Sequence, residues 1–389
     1  MESCILSKDE LRRESTRFDE LWERSRVALP TARAAHLLHW QEQFGDKRQP
    51  LHAIVVIHDG RWVAALPMTA AKFGPLSFGR LPTNHWQPSG ELLLDETIEC
   101  DRAIDSLIDG LLTLKLSLFD FGIILPGTNR WNCFIAGLKR RRLAHSISPR
   151  FEVGLVDCSR DWQAQASNWS PNHRRRVKRN QKMLDSSELS VEFHTIGDRG
   201  HNLAMLEILW RLEAKSWKGE VGGAVEHQPS LIEFYRNQAM HLAEAKNDQI
   251  SANVAILRRE GQPIAEIYYW LAKGVCHLWK TAYDPASAEI SPGSLLLQEV
   301  LRTQIESGDC RLFNLMGEIS AGHASWATRK FEVGRLIFQG NSGMGRAAVA
   351  GYRVIRRLRG RPEWRPGEMS EPWPRELAAS APLEFADCR

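Results

Sequence analysis

The sequence lacks any run of about 18 consecutive apolar residues, the length a membrane-spanning helix needs. Its longest apolar stretches, such as Ile54–Ile57 and 107–118, have the length of core strands or helices. Residues 1–18 are charged throughout and hold no apolar segment of the kind a signal peptide carries, so the expected location is the cytoplasm. No Cys-x-x-Cys motif occurs, and the cysteine count, seven, is odd. That argues against a disulfide framework and against a zinc site, so reduced thiols and no metal are expected. Charge of one sign is scarce in excess: the net charge is only +4, too small to indicate a partner by itself.

What is present is the composition of a soluble globular protein, 43% hydrophobic and 25% charged. At 389 residues the chain is too long for one typical domain and suggests two. Its 14 tryptophans are many, and their commonest role is packing. Arginines cluster at 139–142, 174–179 and 353–361.

Residues 7–44 read as helical. A β-branched run from Leu51 to Ile57 reads as a strand, His58-Asp59-Gly60 as a hairpin turn, and 61–68 as the return strand. Pro67 suggests that this strand ends or lies near an edge. Residues 71–90 look irregular, 97–115 form an amphipathic helix, and 118–125 a strand. The pattern recurs about 200 residues later: strand 251–257, turn Arg259-Glu260-Gly261, return strand 263–271, a helix near 293–307, then a strand at 310–316. One long repeat means duplicated domains, not a solenoid. Between the copies, 171–184 reads as a basic helix, 195–218 as mostly one long helix, and 229–245 as another. Residues 345–361 read as a basic helix or extension, with a peripheral membrane contact considered for 346–361. The polar, Pro-rich segment 362–389 is expected to stay disordered.

Several constellations carry chemistry. Ser291-Pro292-Gly293-Ser294 would feed unpaired backbone N–H groups into a helix start after a strand, an anion site. The plainer reading is a helix N-terminus with Ser291 as cap and Pro292 in its first turn. On the strand before it, alternation places Leu278, Lys280 and Ala282 on one face and His277, Trp279 and Thr281 on the other. Lys280 would meet a phosphate or acyl carbonyl, and Tyr283 and Asp284 would position a substrate or carry a proton. Glu213 and Trp217 share a helical face beside a glycine-rich loop, as an acceptor wall or as a simple helix C-terminus. Glu266 lies on a strand with Ile264 and Tyr268 on its face, so its carboxyl must be paired or face a cavity. Asp284, Glu318 and His323 are further candidate bases, His323 because imidazole titrates near neutrality. The run from Asn172 to Lys182 offers arginine forks for a phosphorylated ligand or a solvated basic face. Arg175 and Arg179 share one helical face, Arg174 and Lys178 another, and Val177 marks the buried side. No aromatic residues interleave this run, so nucleic acid is not the expected partner.

Tyr283-Asp284-Pro285, a short spacer and Ser291-Pro292-Gly293-Ser294-Leu295-Leu296 resemble the acyl-CoA-binding core of the GNAT acetyltransferase superfamily. With Trp279-Lys280-Thr281, Trp217-Lys218-Gly219 and Trp326-Ala327-Thr328-Arg329, the chain is similar to the CelD-like acetyltransferases of cellulose and exopolysaccharide synthesis, relatives of the Fem-type aminoacyltransferases. The resemblance covers about 150–338 and, more loosely, the first half. It implies an α/β (α+β) protein of tandem GNAT-like domains, each a mixed, largely antiparallel sheet flanked by helices. These would be 1–150, a degenerate copy without the Ser-Pro-Gly helix start, and 151–340, the acetyltransferase, followed by 341–389. It implies acetyl-CoA as co-substrate, held by Lys280, Thr281, Ser291, Pro292, Gly293 and Ser294. An amine or hydroxyl acceptor, a sugar or nucleotide-sugar, would be held by Glu213, Trp217, Arg174, Arg175, Arg179, Glu318, Trp326 and Arg329. Glu266, Tyr283, Asp284 and His323 are the catalytic candidates. Two features depart from the pattern. The single-domain GNAT fingerprint Gln/Arg-x-x-Gly-x-Gly/Ala is absent, and His323 stands where relatives carry lysine, in a loop two residues longer. A Fem-like enzyme using aminoacyl-tRNA and a non-catalytic metabolite-binding protein are the alternatives.

Overall fold

The computed structural model describes residues 1–45, 50–186, 188–197, 200–245 and 249–361. Segment 362–389, expected to be disordered, lies outside the described residues. The described chain divides into two compact units, Met1–Val27 with Thr31–Phe151 and 331–361, and Ala28–Pro30 with Glu152–Lys330.

The first unit begins with β1 (Glu2–Ser7), α1 (Lys8–Arg13), α2 (Ser15–Arg24) and α3 (Ala34–Phe44). Ser7 and Glu10 close a reciprocal capping box at the start of α1. Then follow β2 (Leu51–His58), β3 (Arg61–Phe73), β4 (Leu76–Arg80), the short β5 (Thr83–Asn84), β6 (Gln87–Pro88) and β7 (Leu93–Leu94), α4 (Cys100–Thr113), β8 (Leu118–Ile124) and α5 (Asn129–Arg140). Its strands run in the order β1-β2-β3-β4-β8, with β4 and β8 parallel and the other neighbours antiparallel.

The second unit takes most of its chain from β9 (His145–Asp157) onward: α6 (Trp162–Ser167), α7 (Pro171–Leu184), β10 (Leu189–Ile196), α8 (Leu206–Ala214), α9 (Trp217–Glu220) and α10 (Pro229–Ala243). Next come β11 (Ser251–Arg259), β12 (Gln262–Ala272), β13 (Val275–Tyr283), α11 (Pro292–Ser307), β14 (Leu312–Asn314) and α12 (Ala321–Ala324). Its order is β10-β11-β12-β13-β14-β9, again antiparallel except for the parallel pair β13–β14. Finally β15 (Arg329–Gln339) returns to the first unit, where it pairs antiparallel with β8, and α13 (Gly343–Leu358) ends the described chain.

The two orders match strand for strand: a hairpin, a third antiparallel strand, a helix, then a parallel strand. The hairpin turns share one chemistry. Asp59-Gly60 and Glu260-Gly261 both have positive φ at each position, the geometry a tight two-residue hairpin requires. Each unit has its own core, Trp131, Phe119, Phe121, Phe134 and Phe338 in the first, Leu295, Leu296, Val300, Phe313 and Trp326 in the second.

Four local expectations are corrected. Residues 71–90 contain β4, β5 and β6 and are not irregular. Pro67 lies inside β3, not at its end; it falls between the residues that pair with β7 (Ala64, Ala65) and those that pair with β4 (from Thr69), where no partner needs its missing N–H. The segment 195–218 is not one helix. Leu189–Ile196 alternates as a strand against β11, and helix resumes only at α8, broken again before α9. Finally, not all cysteines are free: Cys100 on α4 and Cys133 on α5 form a disulfide, their Cα atoms 6.5 Å apart, because the two helices pack against each other.

Candidate functional site

The second unit holds the features that chemistry needs. β13 follows β12 along its length, but pairs with β14 only through Val275, Cys276 and His277. Beyond that rung the two strands part. Among the described residues, Leu278–Tyr283 has no strand partner on that side, which leaves a slot lined with backbone donors and acceptors. His277 and Asn314 close the vertex. Asn314 Nδ2 donates to His277 Nδ1 (3.4 Å), and His277 Nε2 donates to the Ala28 carbonyl (3.1 Å). Burial pushes the imidazole down to about 4, so it is neutral, the state these two bonds require.

α11 begins beside the slot. Ser291 is left-handed (φ 54°, ψ 57°), and Pro292 is the first helical residue. Ser291 makes no side-chain capping bond, so its hydroxyl does not satisfy the first N–H groups of the helix. A Cβ placed on Gly293 would meet only Tyr283 Cδ1 at 3.6 Å and Thr281 Cγ2 at 3.9 Å, ordinary contact distances. The protein's own packing therefore does not demand glycine here. The structure brings Thr281, Tyr283 and Gly293 together at the mouth of the slot.

The strict alternation expected for β13 is broken. A bulge at Trp279 sets Tyr268 opposite Lys280 but Tyr269 opposite Leu278. Trp279 stacks on Trp270 at 4.7 Å, while Lys280 turns toward α8 and α10, with its ammonium 5.1 Å from the Tyr235 ring and 6.0 Å from Trp210. Lys280 and Leu278 therefore do not share a face. Lys280 Nζ donates to Glu213 Oε1 (2.9 Å), Lys218 Nζ donates to the same oxygen (2.7 Å), and Val225 N donates to Oε2 (3.1 Å). Burial pushes the Glu213 carboxyl up, but the two lysines outweigh it and hold it below the usual carboxylate range. Both oxygens are thus committed, and Glu213 pins Lys280. Burial lowers Lys280, and Glu213 offsets this only in part.

The remaining candidates separate by charge state. Glu266 is fully buried on the α8 side of β12 and neither oxygen has a partner; burial drives its carboxyl well above the usual range. Burial thus favours its neutral form, whereas a general base acts as the carboxylate. Asp284 is lowered by its bond to Lys215 Nζ (2.7 Å) and also accepts from Ala286 N (3.0 Å). His323, on α12, has a buried Nδ1 without a partner and is lowered by burial, so it is neutral. No hydrogen bond or ion pair among the described residues joins His323 to Glu266, Tyr283 or Asp284. Glu318 is exposed, and the side chain of Trp217 lies outside the described ones.

A second cluster was only partly foreseen. On α7, His173, Val177 and Asn180 face inward while Arg174, Arg175, Lys178 and Arg179 face out. Arg174 is engaged locally, donating to the carbonyls of Ser167 (3.3 Å) and Trp169 (2.7 Å). His173 packs edge-on against Trp326 (4.3 Å) and Trp169 (4.9 Å), and Trp162 packs on Trp169 (5.0 Å). Arg176 donates to His173 Nδ1 (2.7 Å) and to Ser325 Oγ. Burial, with help from Arg176, pushes His173 down to about 4. Beside this cluster lies a cavity of about 570 Å³, lined by Asp157, Arg160, Trp169, Trp326, Thr328 and Arg329 among others. Trp326 and Arg329 were expected at the acceptor; Trp169, His173, Arg160 and Asp157 were missed. The i, i+4 spacing of Trp169 and His173 across a Ser-Pro helix start was the available signal.

Residues 171–326 match the family model described as an acetyltransferase (GNAT) domain. The chain carries a GNAT acetyltransferase domain. It is an acyltransferase. The matched segment runs from the start of α7 to Trp326 and so contains the slot, the α11 start and the Lys280–Glu213 pair. A comparison with curated proteins finds no match. Among solved structures, FemX is similar with a TM-score of 0.57 at 10% identity, covering 92% of this chain and 99% of that one. A conserved protein of unknown function from Bacteroides thetaiotaomicron gives 0.53 at 11% identity, over 86% and 100%. L-PGS from Bacillus licheniformis gives 0.50 at 13%, over 89% and 96%. At such identities the likeness shows the fold alone. Among the described residues there is no group of metal-ligating side chains, and no helix is long and apolar enough to cross a membrane.

Proposed function

We propose that the GNAT domain transfers an acetyl group from acetyl-CoA to an amine or hydroxyl on a sugar or nucleotide-sugar used for cell-surface polysaccharide, as the CelD-like resemblance implies. The observation that carries the donor half is the parting of β13 from β14 beside an uncapped α11. The free edge of Leu278–Tyr283 suits the amide groups of the pantetheine arm. The Gly293 N–H at the start of α11 suits a pyrophosphate oxygen, the Ser294 N–H being bonded to the Ser291 carbonyl (2.9 Å), and the absence of a side chain at Gly293 lets it approach.

Acetyl-CoA would supply an activated acyl carbon and a thiolate leaving group. The acceptor must lose a proton as its nitrogen or oxygen bonds to that carbon. His323 is the candidate whose resting state suits a base: it is neutral, and its Nδ1 has no partner. Asp284 is ion-paired and burial favours the neutral form of Glu266, which suits them to positioning roles. For the acceptor half, the cavity offers the partly exposed Trp169, backed by the buried Trp326, to a sugar or base and the guanidinium groups of Arg160 and Arg329 to a phosphate.

The test is acceptor-dependent thiol release. Purified protein, acetyl-CoA and a panel of amino sugars and nucleotide-sugars should release free CoA together with an equal amount of acetylated product by mass spectrometry. Release without any product, or none with every amine and hydroxyl tried, would sink this reading.

A further inference from the structure

We infer that α13 is a docking surface for an anionic lipid bilayer. The helix is amphipathic, but its apolar face points away from the protein. The residues turned inward are Gly345, Val349, Tyr352 and Arg356, at i, i+4, i+7 and i+11, and two of the four are polar. Tyr352 meets Ser148 Oγ (3.2 Å) and lies under Arg335 (5.5 Å), so the buried side is anchored largely through polar groups. The outward stripe is Met344, Ala347, Gly351, Val354 and Leu358, with Ile355 at its edge. Met344 and Ile355 are each 50% exposed, Val354 54% and Leu358 82%, a concentration of exposed large apolar side chains found on no other element among the described residues of the first unit. An ordinary surface helix of a globular protein shows the reverse arrangement.

Charge chooses the occupant. From Gly340 to Arg361 the chain carries six arginines, at 346, 353, 356, 357, 359 and 361, and no lysine, aspartate or glutamate. Arg346, Arg353 and Arg357 flank one side of the apolar stripe, and Arg359 follows on the other. An apolar stripe rimmed by arginine fits the acyl–headgroup boundary of a membrane with acidic lipids. Nucleic acid would use the arginines but leave Val354 and Leu358 in water. A second copy of this helix would set arginine against arginine. The four exposed arginines, Arg346, Arg357, Arg359 and Arg361, make the anionic surface the complementary one.

The experiment is vesicle co-sedimentation of the full chain. One set of vesicles is phosphatidylcholine alone; the other contains roughly a third phosphatidylglycerol, enough for a negative surface. The expected result is binding to the anionic vesicles only, weakened as salt rises from about 0.1 M to about 0.5 M. Val354→Ser with Leu358→Ser should lower the partition coefficient about tenfold or more, since exposed leucine and valine bury well in lipid. Arg357→Gln with Arg359→Gln should also weaken it, and thermal unfolding should be unchanged in both. Three outcomes overturn the proposal. Wild-type chain may fail to bind anionic vesicles. The serine variant may bind as wild type does, which would make the surface electrostatic only, as for nucleic acid. Light scattering may give a wild-type dimer that the serine variant abolishes without any lipid binding, which would make the face an interface between copies.

Discussion

At the residue scale, the account rests on groups that have one job left to them. Gly293 is not required by its neighbours, since a Cβ there would make only ordinary contacts. Gly293→Val should therefore leave thermal stability close to wild type and weaken donor binding, because the branched side chain fills the approach to the α11 N-terminus. Glu213 is the opposite kind of residue. It neutralises Lys280 in a buried setting, and Glu213→Gln leaves a buried ammonium without that counter-charge. The expected cost is about 3–5 kcal/mol in denaturant unfolding, the range for breaking a buried ion pair from one side. Adding Lys280→Met should recover much of that loss; a double variant as unstable as the sum of its parts would contradict the pairing. Ser291-Pro292-Gly293 was legible in the sequence because helix-start chemistry is local. The Lys280–Glu213 bond was not, because its partners lie 67 residues apart and a single bulged residue decides which way Lys280 turns.

At the scale of elements, the vertex of the β13–β14 slot depends on a neutral histidine. His277 and His173 are each held at about 4 by burial, against an ordinary value near 6.5. A folded value below the unfolded one means that the unfolded chain takes up these protons first. Stability from the two imidazoles is therefore full above about pH 6.5 and declines as pH falls toward about 4, with no further loss below. Thermal midpoints measured across that window should fall in the wild type. His277→Gln should fall less steeply, since one titrating group is gone; identical slopes would contradict the assignment. On α7, the sequence identified Val177 as the inward side but could not choose between the two arginine pairs. Arg174 is occupied by the carbonyls of Ser167 and Trp169, which favours Arg175 with Arg179 for an acidic acceptor. Arg175→Gln with Arg179→Gln should raise the acceptor KM several-fold and leave acetyl-CoA affinity alone, a charge-assisted contact being worth roughly 1.5–3 kcal/mol. An unchanged KM would reduce α7 to a solvated face. The aromatic cavity was the least legible element: Trp169 and Trp326 come from opposite ends of the GNAT domain and meet only when α7 packs on the loop before β15.

At the scale of the whole molecule, the repeat was readable from two glycine turns and the helix–strand pair behind each. The return of β15 and α13 to the first unit was not, because strand pairing across the length of the chain leaves no local trace. The two copies differ where function would lie. In the first unit, β4 and β8 pair only at Phe78–Leu118 and Gly79–Phe119, so the difference lies in the helix start and not in the strand pairing. The helix that follows, α4, begins at Cys100 without a Pro-Gly start. One copy should therefore bind donor and the other should not. Titration calorimetry of the full chain with acetyl-CoA tests this most directly. The account predicts one site per chain, with affinity reduced by Gly293→Val in a variant that keeps its fold. No binding, two sites per chain, or an unchanged affinity in that variant would contradict it.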